Sequence, residues 1–305
     1  MVNTFITPDV IARRALAALY DQLDVMPLIH TDLTQEFTSQ KVGDTINVKT
    51  PASFEAKLFN RANGIEIQDA DEGTIPVKLD KIADVSFAVT AEDLTLEISA
   101  FDEQLITPAT QALALHVNTA VLALRDEITQ EVGTAAGYEW DKPEVLADAG
   151  RVLDLHNVPL ADRAAIIGPT AYSKWLTNEL IKQADKSGST EALRRGSVGR
   201  DLFGFDVYKT TLVGQPKLPG AQVPGDPTTE VGMAFHKSAF AYASAPLAVS
   251  PGSNAAVVTY RGISIRVAYD YDIKYKQTVV SLDTLYGVKT LDADRAVLLK
   301  GADKA

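Results

Sequence analysis

Apolar residues recur along this chain in two different periods, and the switches between them mark out its parts. From Thr107 to Val132 (TPATQALALHVNTAVLALRDEITQEV), Ala109, Ala112, Leu113, Val117, Ala120, Val121, Leu124, Ile128 and Val132 return close to every 3.6 residues, the helical period. Thr107 suits an N-cap, Pro108 the first helical position, and Gly133 a C-terminal stop. A helix over this stretch is a rod of roughly 37 Å, about twice the common globular length. Such a rod reads as a scaffold rather than as one wall of a pocket. A shorter amphipathic helix is predicted after Thr7-Pro8, with Ile11, Ala15, Leu16, Leu19 and Leu23 on one side. It cannot bury that stripe alone, so it must lie on its own body or on a neighbour's.

Period two takes over from Gly43 to Thr90. Thr45–Lys49 alternates, as do Ile75, Val77 and Leu79, then Val85, Phe87 and Val89. Between these strands lies NRANGIEIQDADEG, residues 60–73, polar and rich in turn formers. A lone two-stranded ribbon is marginal in water, so this region reads as a long β-arm ordered by lying on another surface. Residues 91–106 lead into the rod through one or two helical turns.

Residues 140–212 alternate helix and strand: a helix from Pro143 to Leu155, a buried strand from Arg163 to Gly168, a helix from Thr170 to Lys182, and a strand from Phe205 to Thr210. Residues 213–230, dense in proline and glycine, read as a surface loop, and Met233–Ala243 as a further apolar element. The cleanest β signal is Ile263–Lys276. Ile263, Ile265, Val267, Tyr269, Tyr271, Ile273 and Tyr275 alternate with Ser264, Arg266, Ala268, Asp270, Asp272, Lys274 and Lys276, one face packed and one wet. A strand pair, Thr278–Tyr286 and Val288–Leu299, closes a mixed α+β chain.

Composition adds limits. With 305 residues there is room for two domains or one with appendages. Forty acidic residues against 29 basic ones give a net charge of −11. That balance opposes wrapping nucleic acid as a primary job, because phosphate binding is driven by Lys and Arg displacing counterions. There is no cysteine, which excludes disulfides, thiolate metal sites and cysteine nucleophiles. Neither a signal peptide nor a membrane span is expected.

Candidate chemistry is thin. His30, His116, His156 and His236 share no metal or catalytic spacing. The run GSVGRDLFG (196–204) lacks the Lys-Ser/Thr of a phosphate loop. Asp69, Asp71 and Asp80 miss the calcium-loop pattern, since Gly73 falls in the fifth place and the twelfth is Asp rather than Glu. Asp270 and Asp272 share a strand face with Lys274 and Lys276, which suits charges meeting a charged neighbour across a seam. No cofactor, no metal and no enzymatic activity are expected.

The order of parts resembles the major capsid proteins of tailed phages, the Hong Kong 97-type fold. Individual stretches are similar to the coat proteins of short-tailed Salmonella-type phages: KVGDTINVKTP (41–51), DLFGFDVYKTTLV (201–213), AFAYASAP (239–246) and RGISIRVAYDYDIKYKQTVVSLDTLYGVKTLDADRAVLL (261–299). The resemblance implies an N-terminal arm (1–40), an extended β-hairpin E-loop (41–90), a P-domain with spine helix (91–139), a central α/β A-domain (140–255) and C-terminal P-domain strands (256–305). It implies a self-assembling icosahedral shell of pentamers and hexamers enclosing double-stranded DNA without sequence-specific binding, assembled in the host bacterial cytoplasm and found in the virion capsid. Its expected partners are a scaffolding protein, a portal and decoration proteins, with no membrane. Inter-subunit contacts are expected at the E-loop tip, from Arg61, Asn63, Ile65, Ile67, Asp69 and Asp71, and on the arm, from Ile11, Leu16 and Leu19. An encapsulin-type compartment shell shares the fold, and a soluble α/β enzyme with a β-hairpin lid is the more distant alternative.

Overall fold

The N-terminal stripe forms α1 (Pro8–Gln22), and Ile11, Ala15, Leu16, Leu19 and Leu23 are all buried. The computed structural model describes residues 8–23, 25–31, 45–49, 74–90, 105–182, 201–218, 220–260 and 263–304. After α1 come β1 (Thr45–Lys49), β2 (Thr74–Lys78), β3 (Lys81–Thr90), α2 (Thr107–Leu122), β4 (Glu131–Val132) and α3 (Val145–Leu155). Next are β5 (Arg163–Ile167), α4 (Pro169–Thr177), α5 (Glu179–Lys182), β6 (Asp201–Leu202), β7 (Phe205–Lys209) and β8 (Gly232–His236). The chain ends with β9 (Phe240–Ala245), β10 (Asn254–Tyr260), β11 (Ile263–Asp272), β12 (Gln277–Thr290) and β13 (Ala296–Leu299).

Two sheets carry the fold. The first is antiparallel, in the order β10-β11-β12-β3, with β9 also pairing on β12. Helix α1 packs across β10 and β11, and α2 across β3 and β12. Their apolar faces meet Val267, Val280, Leu282 and Tyr286 in one core, and burying each such side chain stabilises the fold by about 1.5–3 kcal/mol. The second sheet runs β4-β13-β8-β5-β7-β6, parallel at β4–β13 and β5–β7 and antiparallel elsewhere. Its central strand β5 is buried at every position, as its run of apolar residues predicts. Helix α3 closes one side with Val145, Leu146, Ala149 and Leu153. Strands from distant parts of the chain share these sheets: β3 joins the first, and β13 the second.

Four elements differ from expectation. The long helix stops at Leu122, tightens into a 3-10 turn through Glu127, and gives way to strand at Glu131. The cause is the end of β13: Leu298 N–H donates to the Gln130 carbonyl at 2.8 Å and Lys300 N–H to that of Val132 at 3.0 Å, drawing this segment into the sheet. Gly133, at φ +115°, therefore ends a strand rather than a helix. Thr107 does not cap, because Ile106 before it is already helical. The helix expected from Thr170 breaks at Asn178, whose backbone is extended. The expected pair Thr278–Tyr286 and Val288–Leu299 is instead one 14-residue strand, β12, followed by β13. Strand β12 is long because β3 covers its first part and β9 its last.

The third sheet is the ribbon β1–β2, paired from Thr45↔Lys78 to Lys49↔Thr74. Its root crosses β12 at Gly287, where any Cβ would run into the Lys78 carbonyl. Lys289 Nζ donates to the Pro76 carbonyl at 3.0 Å, tying the same crossing.

Candidate self-association surface

The alternating face of β11 divides in two. Ile263, Ile265 and Val267 are buried in the core, as the pattern predicts. Beyond them, Tyr271 near the end of the strand is 51% exposed, and Ile273 and Tyr275 in the turn that follows are 80% and 62% exposed. The strand ends at Asp272 and residues 273–276 form the turn into β12, so the alternation predicted through Lys276 stops there. Three large apolar side chains thus sit exposed at the tip of the β11–β12 hairpin.

The tip is built to hold its shape. Asp272 Oδ1 accepts the backbone N–H groups of Lys274 at 2.9 Å and Tyr275 at 3.4 Å, and Asp270 Oδ1 accepts that of Tyr271 at 2.8 Å. Lys276 takes φ +51° to close the turn, and the Lys274 ammonium lies 5.0 Å from the Tyr275 ring centre. Deeper in the hairpin, the register is pinned by Arg266 and Asp283, which face each other across the strands. The guanidinium grips the carboxylate through Nε at 3.0 Å and Nη2 at 2.6 Å, and Nη1 reaches the Ala248 carbonyl at 2.8 Å. The bidentate bond to Asp283 raises the Arg266 pKa above its ordinary value. On the same outer face, Asp84 accepts the hydroxyls of Ser281 and Ser86.

The predicted contact residues fall differently. Ile11, Leu16 and Leu19 pack inside the subunit's own core, which corrects their assignment to inter-subunit contact. Of the two surfaces open to the α1 stripe, the chain uses its own sheet. Arg61, Asn63, Ile65, Ile67, Asp69 and Asp71 lie outside the described residues, in the stretch that joins the far end of the β1–β2 ribbon. Tyr271, Ile273 and Tyr275 belong to the alternation expected over Ile263–Lys276, but the strand ends at Asp272, so the last two fall in the turn and not on its packed face.

Among the described residues no group of three His, Cys, Asp or Glu side chains could hold a metal ion, and no helix is long and apolar enough to cross a membrane. His236 Nδ1 accepts the Ser238 N–H at 3.2 Å, and Arg295 donates to the Ser238 hydroxyl at 2.7 Å. Burial and the nearby Arg295 cation hold the His236 pKa below its ordinary value, a structural arrangement at a turn.

No family model matches the chain, and no curated protein does either. Solved structures do. A chain from Mycobacterium phage Che8 superposes with a TM-score of 0.63 at 16% identity, over 99% of this chain and 95% of that one. The capsid of the cyanophage P-SCSP1u gives 0.61 at 16% identity, over 90% and 87%. The capsid of Ralstonia phage GP4 gives 0.58 at 9% identity, over 91% and 88%. The fold is that of a tailed-phage capsid chain. The likeness runs over most of the length of each chain.

Proposed function

We propose that the chain is a major capsid protein, many copies of which close into the icosahedral head shell around the double-stranded DNA of a tailed phage. The observation that carries this reading is the hairpin tip, where its own subunit leaves the large side chains of Tyr271, Ile273 and Tyr275 uncovered. A rigid tip bearing Asp270, Asp272, Lys274 and Lys276 beside Tyr271, Ile273 and Tyr275 suits a contact with another copy, apolar at its centre and charged of both signs at its rim. The fold shared with phage capsids supports the same reading.

On this reading the ribbon β1–β2 is the root of an E-loop whose tip, residues 60–73, lies over the next subunit, and α2 is the spine of a P-domain. The second sheet is the core of an A-domain. Pentamers and hexamers form the shell, with a scaffolding protein, a portal and decoration proteins as partners. Assembly takes place in the host cytoplasm. The net charge of −11 limits non-specific sticking to the packaged DNA. The stretches 201–213 and 261–299 support a coat protein of the short-tailed Salmonella-phage type. Light scattering of the purified chain across a concentration series tests the reading. Megadalton particles, or capsomers that convert to them, are expected; a monomer or small oligomer at every concentration overturns it.

A further inference from the structure

Two residues break the rules of their own elements, and both open onto one recess. Gly150 stands in the middle of α3, where glycine is a poorer helix former than alanine. Packing does not demand it, since a Cβ there would meet its nearest neighbour, the Phe205 ring, at an ordinary 3.7 Å. Phe203 and Gly204 form the two-residue turn between β6 and β7, at φ +52° and φ +80°. Such a turn favours Asn-Gly, and an aromatic residue is strained in it. Burial does not offset the strain, because Phe203 stays 44% exposed.

Residues held against local preference, with no gain inside the subunit, point to a functional role. Here both line an open recess of about 500 Å³, within the rough range of 300–1,000 Å³ for small-molecule sites. The bare backbone of Gly150 keeps the recess deep. Phe203 flanks it together with Leu155 (70% exposed) and Leu160 (74%).

The recess also holds a donor without an acceptor. Arg163 is only 5% exposed, and its guanidinium is committed on one side. Nε donates to the Pro159 carbonyl at 2.8 Å, and Nη2 to Asp154 at 2.6 Å and the Val158 carbonyl at 2.6 Å. Nη1 has no acceptor among the described residues and is not sealed in, so its N–H groups are open to the recess. The charges there cancel, since Arg163 pairs with Asp154 and Arg151 with Asp148. A charged ligand would lack a counterpart, whereas a neutral acceptor meets an open donor.

The geometry points to a small-molecule site that takes an uncharged ligand, its apolar body between Leu155, Leu160 and Phe203 and a carbonyl oxygen on Arg163 Nη1. The site goes beyond the shell reading and does not depend on it. Prodan, a neutral naphthalene ketone whose emission moves to the blue in apolar surroundings, is the probe for the purified full chain. Saturable blue-shifted emission is expected, weakened about tenfold or more in Phe203→Asn and in Gly150→Ala. Neither variant should melt below the wild type, because each places the residue its element prefers. Should one do so, Leu160→Ser alters a side chain already in solvent and reads the same rim. Acetophenone should displace the probe better than ethylbenzene, which lacks the oxygen, and better than the anion benzoate. Absence of saturable binding overturns the site, as does unchanged affinity in the variants. Ethylbenzene or benzoate competing as well as acetophenone overturns the ligand class. Binding by free subunits that disappears in assembled particles makes the recess a contact between copies and overturns the site too.

Discussion

Both carboxylate oxygens of Glu230 close on Thr170, Oε1 accepting its hydroxyl at 2.6 Å and Oε2 its backbone N–H at 2.9 Å. Oε2 also accepts the Ala171 N–H at 3.2 Å, so a buried acid from a distant loop caps the start of α4 in place of a local side chain. Gly168, at the N-cap, leaves the space, because a Cβ there would overlap this carboxylate. Glu230→Ala leaves the buried Ala171 N–H without its acceptor while the exposed Thr170 donors turn to water, and one unsatisfied buried group costs about 1–3 kcal/mol. A urea midpoint lowered by that order is expected, and an unchanged midpoint would contradict the capping role.

At the arm root, Gly287→Val should push β2 away from β12, because the new side chain meets the Lys78 backbone. Overpacking of this kind costs about 1–3 kcal/mol. Hydrogen exchange at residues 74–79 should speed up while that of β5 stays slow. Equal protection of 74–79 in both proteins would show that the crossing does not hold the ribbon.

His236 gives a pH signature. Its folded pKa lies below the ordinary value of 6.5, so the unfolded chain takes up the proton more readily than the folded one. Its contribution is whole above about pH 6.5 and drains away as the pH falls through the folded value. The stability lost between pH 7.5 and pH 5 should therefore be smaller in His236→Gln than in the wild type. The same loss in both would remove His236 from the explanation.

The hairpin tip separates folding from assembly. Ile273→Asp and Tyr275→Asp alter side chains that touch solvent in the free subunit, so stability should move by no more than about 0.5 kcal/mol. Particle yield should fall at least tenfold. Full yield from both variants would mean that the tip is not a contact.

Much of the architecture was legible because periodicity reports burial directly. The α1 stripe, the fully buried β5 and the alternation in β2, β3 and the first part of β11 are all read from their spacing. What spacing cannot report is the competition between elements. Residues 123–132 keep a helical pattern, yet Leu298 and Lys300 pull their end into a parallel ladder. The Glu230 cap on Thr170 spans 60 positions and leaves no local trace. The recess at Leu155, Leu160 and Phe203 joins α3, a loop and a turn that come together only through the β5–β7 pairing. The six E-loop positions from Arg61 to Asp71 lie outside the described residues.

Electron microscopy of the purified chain, and of particles from its native source, tests the central claim most directly. Closed shells of uniform diameter are expected, with DNA inside the native particles. Protein cargo in place of DNA would make the chain a compartment shell of the encapsulin kind. Discrete small oligomers under all conditions would contradict the shell altogether and return a soluble α/β protein to first place.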